Sequence, residues 1–137
     1  MLDRYTYRGK RKDNGEWVVG NLIQGYESQN IQTSNRHRNR YAIQPIGRSR
    51  ITAYEIDPDT LGQCTGEKDK CGVLIFDGDI IRCDTYSFEN ATLEVTWQDG
   101  CWWGYDIVNR SDEVSERLEF CDNIVIIGNV HDKEDKE

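Results

Sequence analysis

Alternation of apolar and polar positions marks most of this chain as strand. "YTYRGK" sets Tyr5 and Tyr7 against Arg4, Thr6 and Arg8, a period of two that suits a half-buried strand. "EWVVGNLI" returns after "DNG" at 13–15, whose Asn and Gly tolerate positive φ, so the first 24 residues predict a β-hairpin with Trp17 as its core anchor. "GYESQNIQTSNRHRNR" (25–40) has neither period and reads as a long, mobile loop. "YAIQPIG" and "RITAYEID" predict short strands, with Pro45 keeping the first off a central sheet position. "DPDTLGQCTG" begins with a proline turn and continues as extended or irregular chain; Asp59 or Thr60 is the cap of any single helical turn there.

"QCTGEKDKCGVLIF" reads as a hairpin with a charged tip at 67–70, bracketed by Gly66 and Gly72. "VLIFDGDIIRC" gives two apolar runs separated by a turn. The clearest hairpin is "ATLEVTW", "QDG", "CWWGYDIV": Leu93, Val95 and Trp97 alternate with Glu94 and Thr96, and Trp103, Tyr105 and Ile107 share a face. "SDEVSERLE" (111–119) is the one predicted helix, with Ser111 as N-cap and Val114 and Leu118 on one side. "NIVIIGNV" predicts a buried strand, and "HDKEDKE" a solvated tail. Short strands separated by frequent turn signals predict an all-β barrel or sandwich.

Composition narrows the class. Apolar residues make up 36% of the 137, and 4 Trp, 7 Tyr and 3 Phe supplement the core area, so one domain with at most a small appendage is expected. No apolar run approaches the roughly 18 residues that cross a membrane, and "MLDRYTYRGKRK" lacks the apolar region of a signal peptide, which predicts a cytoplasmic protein. The five cysteines form no C-x-x-C pair, which argues against a zinc finger and for reduced thiols, several buried as small hydrophobes. A nucleophilic Cys–His pair has only His37 and His131 to draw on. The net charge of −8 is uneven: residues 31–50 carry +5, all arginine, while residues 51–137 carry −14. Such a split serves a partner, or lets the basic segment lie on the acidic body.

Four features carry candidate chemistry. Asp77 and Asp79 point the same way in an extended strand and could hold a divalent cation or act as acid and base; the structural reading makes "DGD" a turn whose carboxylates accept backbone N–H groups. An EF-hand is excluded, since Ile81 and Phe88 occupy positions that need oxygen ligands. "GQCTGEK" is one residue short of a phosphate loop, and Glu67 would repel phosphate. Among Trp97, Trp102 and Trp103, alternation turns only one of the adjacent pair inward; the other is a candidate to stack bases or sugars, or is covered by packing. Arg36, Arg38, Arg40, Arg48 and Arg50, together with Trp102, are the candidate contacts for a nucleic acid or partner; the bland alternative is a solvated loop paired with the acidic body.

"EWVVGNL", "YEIDPDTLGQCTGEKDKCGVLIFDGDIIRC", "VTWQDGCWWGY" and "IVIIGNVHD" together resemble the YopX family of phage and prophage proteins. Thr60, Leu61, Gly62, Gln63, Thr65, Gly66, Asp69, Gly72, Ile75, Phe76, Gly78, Asp79 and Ile80 fill the family's core pattern, and Gly128 and Asn129 its last strand. Cys64, Cys71 and Asp77 depart from the usual residues. The resemblance covers most of the chain outside the arginine loop. It implies an all-β fold with a small SH3-like β-barrel element, an N-terminal hairpin and at most one short helix. It also implies a phage or prophage origin and no enzymatic activity. The expected organisation is a hairpin and basic loop over 1–50, a barrel core over 51–131 and a disordered acidic tail over 132–137. The expected function is a non-catalytic protein-interaction module in a bacterial host's cytoplasm, without cofactor or metal, whose partner is another protein or a second copy. The alternatives are a nucleic-acid-binding module using the Arg36–Arg50 loop, and a metal-dependent hydrolase using Asp77 and Asp79.

Overall fold

The computed structural model describes residues 5–24, 41–45, 52–111 and 113–132. The arginine loop (Arg36, Arg38, Arg40, Arg48, Arg50), the predicted mobile segment 25–40 and the tail beyond Asp132 lie outside the described residues. The described residues are all-β, built of two antiparallel sheets, and contain no α-helix. The chain divides into two compact units, Met1–Cys64 and Thr65–Glu137.

In the first unit, β1 (Tyr7–Lys10) and β2 (Trp17–Gln24) form the expected hairpin, in register Tyr7↔Gly20 to Lys10↔Trp17. β3 (Tyr41–Pro45) and β4 (Tyr54–Glu55) extend the sheet on one side, and the first residues of β5 (Gly62–Lys68) pair with β1 on the other. The pleat sends Val18, Gly20 and Leu22 inward, onto a core of Val18, Ile43 and Ile56 flanked by Tyr7, Tyr41, Tyr54 and Leu61. Gly9 is required by that core: a Cβ there would lie 2.5 Å from Ile56 Cδ1. Trp17 is not the core anchor, because the register puts it on the opposite face from Val18, beneath Arg8 and Lys10. Tyr5 is exposed, outside β1, while Thr6 is buried. Pro45 does not keep β3 off a central position: β3 runs between β2 and β4, and Pro45 pairs with Gly20 at its end. Pro58–Thr60 forms one 3₁₀ turn capped by Asp57, whose Oδ1 accepts the Asp59 N–H at 3.1 Å, in place of extended chain.

In the second unit, the remainder of β5 and β6 (Leu74–Phe76) form a hairpin around 69–73. The main sheet has the order β10–β9–β8–β7–β11, with β7 at Asp79–Asp84, β8 at Ala91–Gln98, β9 at Cys101–Asp106, β10 at Glu116–Arg117 and β11 at Asp122–Asn129. Ala91, Leu93 and Val95 of β8 alternate into a core with Ile75, Ile81, Cys83, Leu118, Cys121 and Ile124. The β8–β9 turn has Asp99 at φ 52° and Gly100 at φ 82°, the two positive values that a tight hairpin of matching twist needs.

Three expectations change here. No closed barrel forms among the described residues: β10 and β11 end the pairing order, and two-residue β10 offers too little backbone to close it. The helix over 111–119 is absent. Glu116 and Arg117 instead pair with Gly104 and Trp103, and Leu118–Phe120 forms a 3₁₀ turn. A nine-residue helix is marginal by itself, and sheet pairing satisfies the same backbone groups. β11 is a half-buried edge strand with only Ile124 fully inside, not a buried one.

Candidate functional site

Three carboxylates of the second unit, Asp69, Asp84 and Asp106, accept hydrogen bonds beside its turns and loops. Asp69, at the β5–β6 tip, accepts the Cys71 and Val73 N–H groups on Oδ1, both at 2.9 Å, and the Ile126 N–H on Oδ2 at 3.4 Å. Burial pushes its carboxyl up, but the N–H groups of Val73, Cys71, Ile126 and Gly72 outweigh that and hold it below the usual carboxylate range. Asp106 does the same for the loop after β9. Its Oδ1 accepts from Val108 and Asn109 and its Oδ2 from Ser111, and these bonds hold the pKa down against burial. Asp84 accepts from Asn123 Nδ2 at 2.8 Å and from the Asn90 N–H, and its pKa is lowered, first by Asn123.

Asp79 is 1% exposed, and its Oδ2 accepts the Phe76 N–H at 2.8 Å across the turn that Gly78 makes at φ 92°. Asp77 is half-buried in that turn. Among the described residues no group of three His, Cys, Asp or Glu side chains could hold a metal ion.

The other signature residues have local roles. Thr60 Oγ1 accepts the Lys10 N–H at 2.8 Å and donates to the Asp57 carbonyl, tying the 3₁₀ turn to β1. Gly62 and Gln63 pair with Arg8 and Tyr7. Thr65 Oγ1 accepts the Glu67 N–H, and Gly66 and Gly72 both take φ 88°. Gly128 follows a register shift in β11, and Asn129 Oδ1 accepts the His131 and Asp132 N–H groups.

All five cysteines are free thiols. Cys83 and Cys121 are buried in one core, where the Cys121 Sγ donates to the Arg117 carbonyl at 3.5 Å; the neighbouring Cys83 thiol and burial push the Cys121 thiol far up. His131 lies beside Gly78, and His37 is outside the described residues.

Among the described residues, the surface of the second unit carries a concavity on each face of the β8–β9 hairpin. Trp97 pairs with Trp102 across the hairpin, edge to face, with ring centroids 5.0 Å apart at 71°. Trp102 lies on the core-facing side and packs on that core, whereas Trp97, at the hairpin end, is 55% exposed. With Glu67, Arg117, Leu118 and Glu119 these rings line a cavity of about 200 Å³. The Arg117 guanidinium bonds Glu119 at 2.6 Å and covers the ring of Phe120, itself 56% exposed. Trp103 and Tyr105 face the other way and line the second concavity, of about 340 Å³, with Gln98, Asp99 and Ser115.

The first unit holds a basic–aromatic face that the sequence reading passed over. Arg8 lies 4.6 Å and Lys10 5.4 Å from the Trp17 ring centre. The alternation of Arg8 and Lys10 opposite Trp17 was its signal.

Residues 6–135 match the family described as YopX protein, and the chain belongs to that family. No curated protein matches it. Among solved structures, the crystal structure of protein EF1440 from Enterococcus faecalis is similar, at 22% identity and a TM-score of 0.48, with 96% of this chain and 97% of that one covered. No helix among the described residues is long and apolar enough to cross a membrane.

Proposed function

We propose that this YopX-family chain is a non-catalytic protein-interaction module of phage or prophage origin, acting in the bacterial cytoplasm. The observation that carries the reading is exposed Trp97 at the smaller cavity, together with exposed Phe120, whose ring is covered by the cavity-lining Arg117. Two aromatic rings more than half exposed, with a guanidinium over one of them, are the residue types that dominate binding energy at protein interfaces. The partner is another protein or a second copy of the chain. The test is affinity capture from host cells, together with light scattering over a concentration series. Trp97→Ala and Phe120→Ala are expected to remove a captured protein or a concentration-dependent dimer while the circular dichroism spectrum stays unchanged. Capture and mass identical to the parent protein in both variants would refute the reading.

The second reading is a nucleic-acid-binding module. It is supported by Arg8, Lys10 and Trp17 on one face, and by Arg36, Arg38, Arg40, Arg48 and Arg50 in the sequence. Fluorescence anisotropy with labelled single- and double-stranded DNA and RNA tests it. Binding that weakens steeply with salt and is lost in the Arg36/Arg38/Arg40→Ala variant supports it, and flat curves exclude it.

A further inference from the structure

We propose that the concavity on the outward face of β9 binds a neutral saccharide. The pairs Thr96↔Trp103 and Glu94↔Tyr105 put both rings on one face of the strand, two residues and so ~6.6 Å apart. They form an aromatic floor to a cavity of about 340 Å³. That size falls at the lower end of small-molecule sites, roughly 300–1,000 Å³.

The polar groups around this floor decide the ligand. Trp103 Nε1 is buried from solvent and has no hydrogen-bond partner among the described residues. A buried N–H left without an acceptor is costly, so a shift of the ring that uncovers this donor would let a ligand oxygen satisfy it. Gln98 and Asp99 add acceptors at the hairpin end, where the positive φ of Asp99 and Gly100 fixes the turn. The Ser115 hydroxyl is already engaged: it donates to the Ser111 carbonyl and accepts the Asp106 N–H, both at 2.9 Å, so it shapes the wall.

An apolar floor, one waiting donor and planar acceptors match a ligand with an apolar C–H face and hydroxyls that both donate and accept. A pyranose ring has that inventory. A proline-rich peptide offers carbonyl acceptors and few donors, which would leave the Asp99 carboxylate unmatched. A nucleotide would stack, but it would bring its phosphate to Asp99, and to Glu94 opposite Tyr105, within a segment of net charge −14. The site is separate from the Trp97 cavity and does not depend on that cavity's partner.

The experiment is a titration of the full chain with cellotriose, chitotriose and maltotriose, followed by tryptophan fluorescence and by the Trp103 indole N–H resonance. At least one trisaccharide is expected to saturate the signal and shift that resonance downfield. Trp103→Phe keeps a ring but removes the donor, and is expected to weaken binding about fivefold or more. Asp99→Asn suits the same positive φ, so it preserves the turn and is expected to weaken binding several-fold. No saturable change with any of the three sugars would overturn the proposal. So would binding that survives both substitutions, or oligoproline or oligo(dT) shifting the Trp103 resonance where the sugars do not.

Discussion

Replacing Asp69 should destabilise the second unit without any loss of packing. In Asp69→Ala the Cys71 and Val73 N–H groups lose their 2.9 Å acceptor, and Ile126 loses a weaker one at 3.4 Å. A hydrogen bond to a charged acceptor contributes about 1.5–3 kcal/mol. Cys71 and Val73 lie on an exposed turn, so water can replace part of that for their N–H groups. The net loss is expected to be about 2–4 kcal/mol. Asp69→Asn is the graded control. Its amide oxygen can keep both short bonds, while its NH₂ group would face the Ile126 N–H, so the loss should be nearer ~1 kcal/mol.

Urea unfolding followed by tryptophan fluorescence measures this, since Trp97, Trp102 and Trp103 all lie in this unit. The pH dependence is a second reading of the same bonds. The folded pKa of Asp69 is depressed below its unfolded value of about 3.9, so its contribution is fully present above that value and is lost as pH falls through the folded pKa. The acid limb of the stability curve should therefore be shallower in Asp69→Ala. A midpoint equal to the parent's, or an unchanged acid limb, would refute the clamp.

Gly104→Ala should cost about 1–3 kcal/mol by overpacking, because its Cβ would lie 2.6 Å from Leu93 Cδ1 and 3.1 Å from Leu93 Cβ; thermal unfolding checks this. Thiol labelling at neutral pH should modify exposed Cys71 quickly and leave Cys83 and Cys121 unmodified until the protein unfolds, since both are buried and the Cys121 thiol is pushed far up by its neighbour Cys83 and by burial. Peptide mapping after a timed maleimide pulse reads that order, and equal labelling of Cys71 and Cys121 would contradict it.

What the sequence shows locally, the structure repeats. Period-two runs and the turns "DNG" and "QDG" predict both hairpins, because a strand's face and a turn's positive φ are written in adjacent residues. What depends on distant partners was hidden. Ser111, Val114 and Leu118 fit helical spacing, yet Glu116 and Arg117 take their partners from β9, which no local pattern announces. Asp69 binds an N–H 57 positions away. Alternation showed that Trp102 and Trp103 diverge; the direction followed only from Trp97↔Trp102 and Val95↔Gly104, the pairs that set the core side. The concavities join residues from separate segments, so neither had a motif to be read.

The same distinction bears on the hydrolase alternative. A carboxylate that binds a cation needs lone pairs open to it. Asp79 Oδ2 already accepts the Phe76 N–H at 2.8 Å, in a side chain 1% exposed. A cation could compete for that oxygen only by opening the β6–β7 turn, which would leave the Phe76 N–H without this acceptor and break up the packing beside buried Ile75 and Ile81. Asp79→Asn is therefore expected to behave as a folding variant, with a lower denaturation midpoint. Calorimetric titration of the parent protein with Mg²⁺, Mn²⁺ and Zn²⁺ is expected to give no heat that depends on Asp77 or Asp79. Saturable heat from any of the three, abolished in Asp77→Ala while that variant stays folded, would overturn this reasoning: it would mean that the turn opens to a cation at a cost smaller than its hydrogen bond implies.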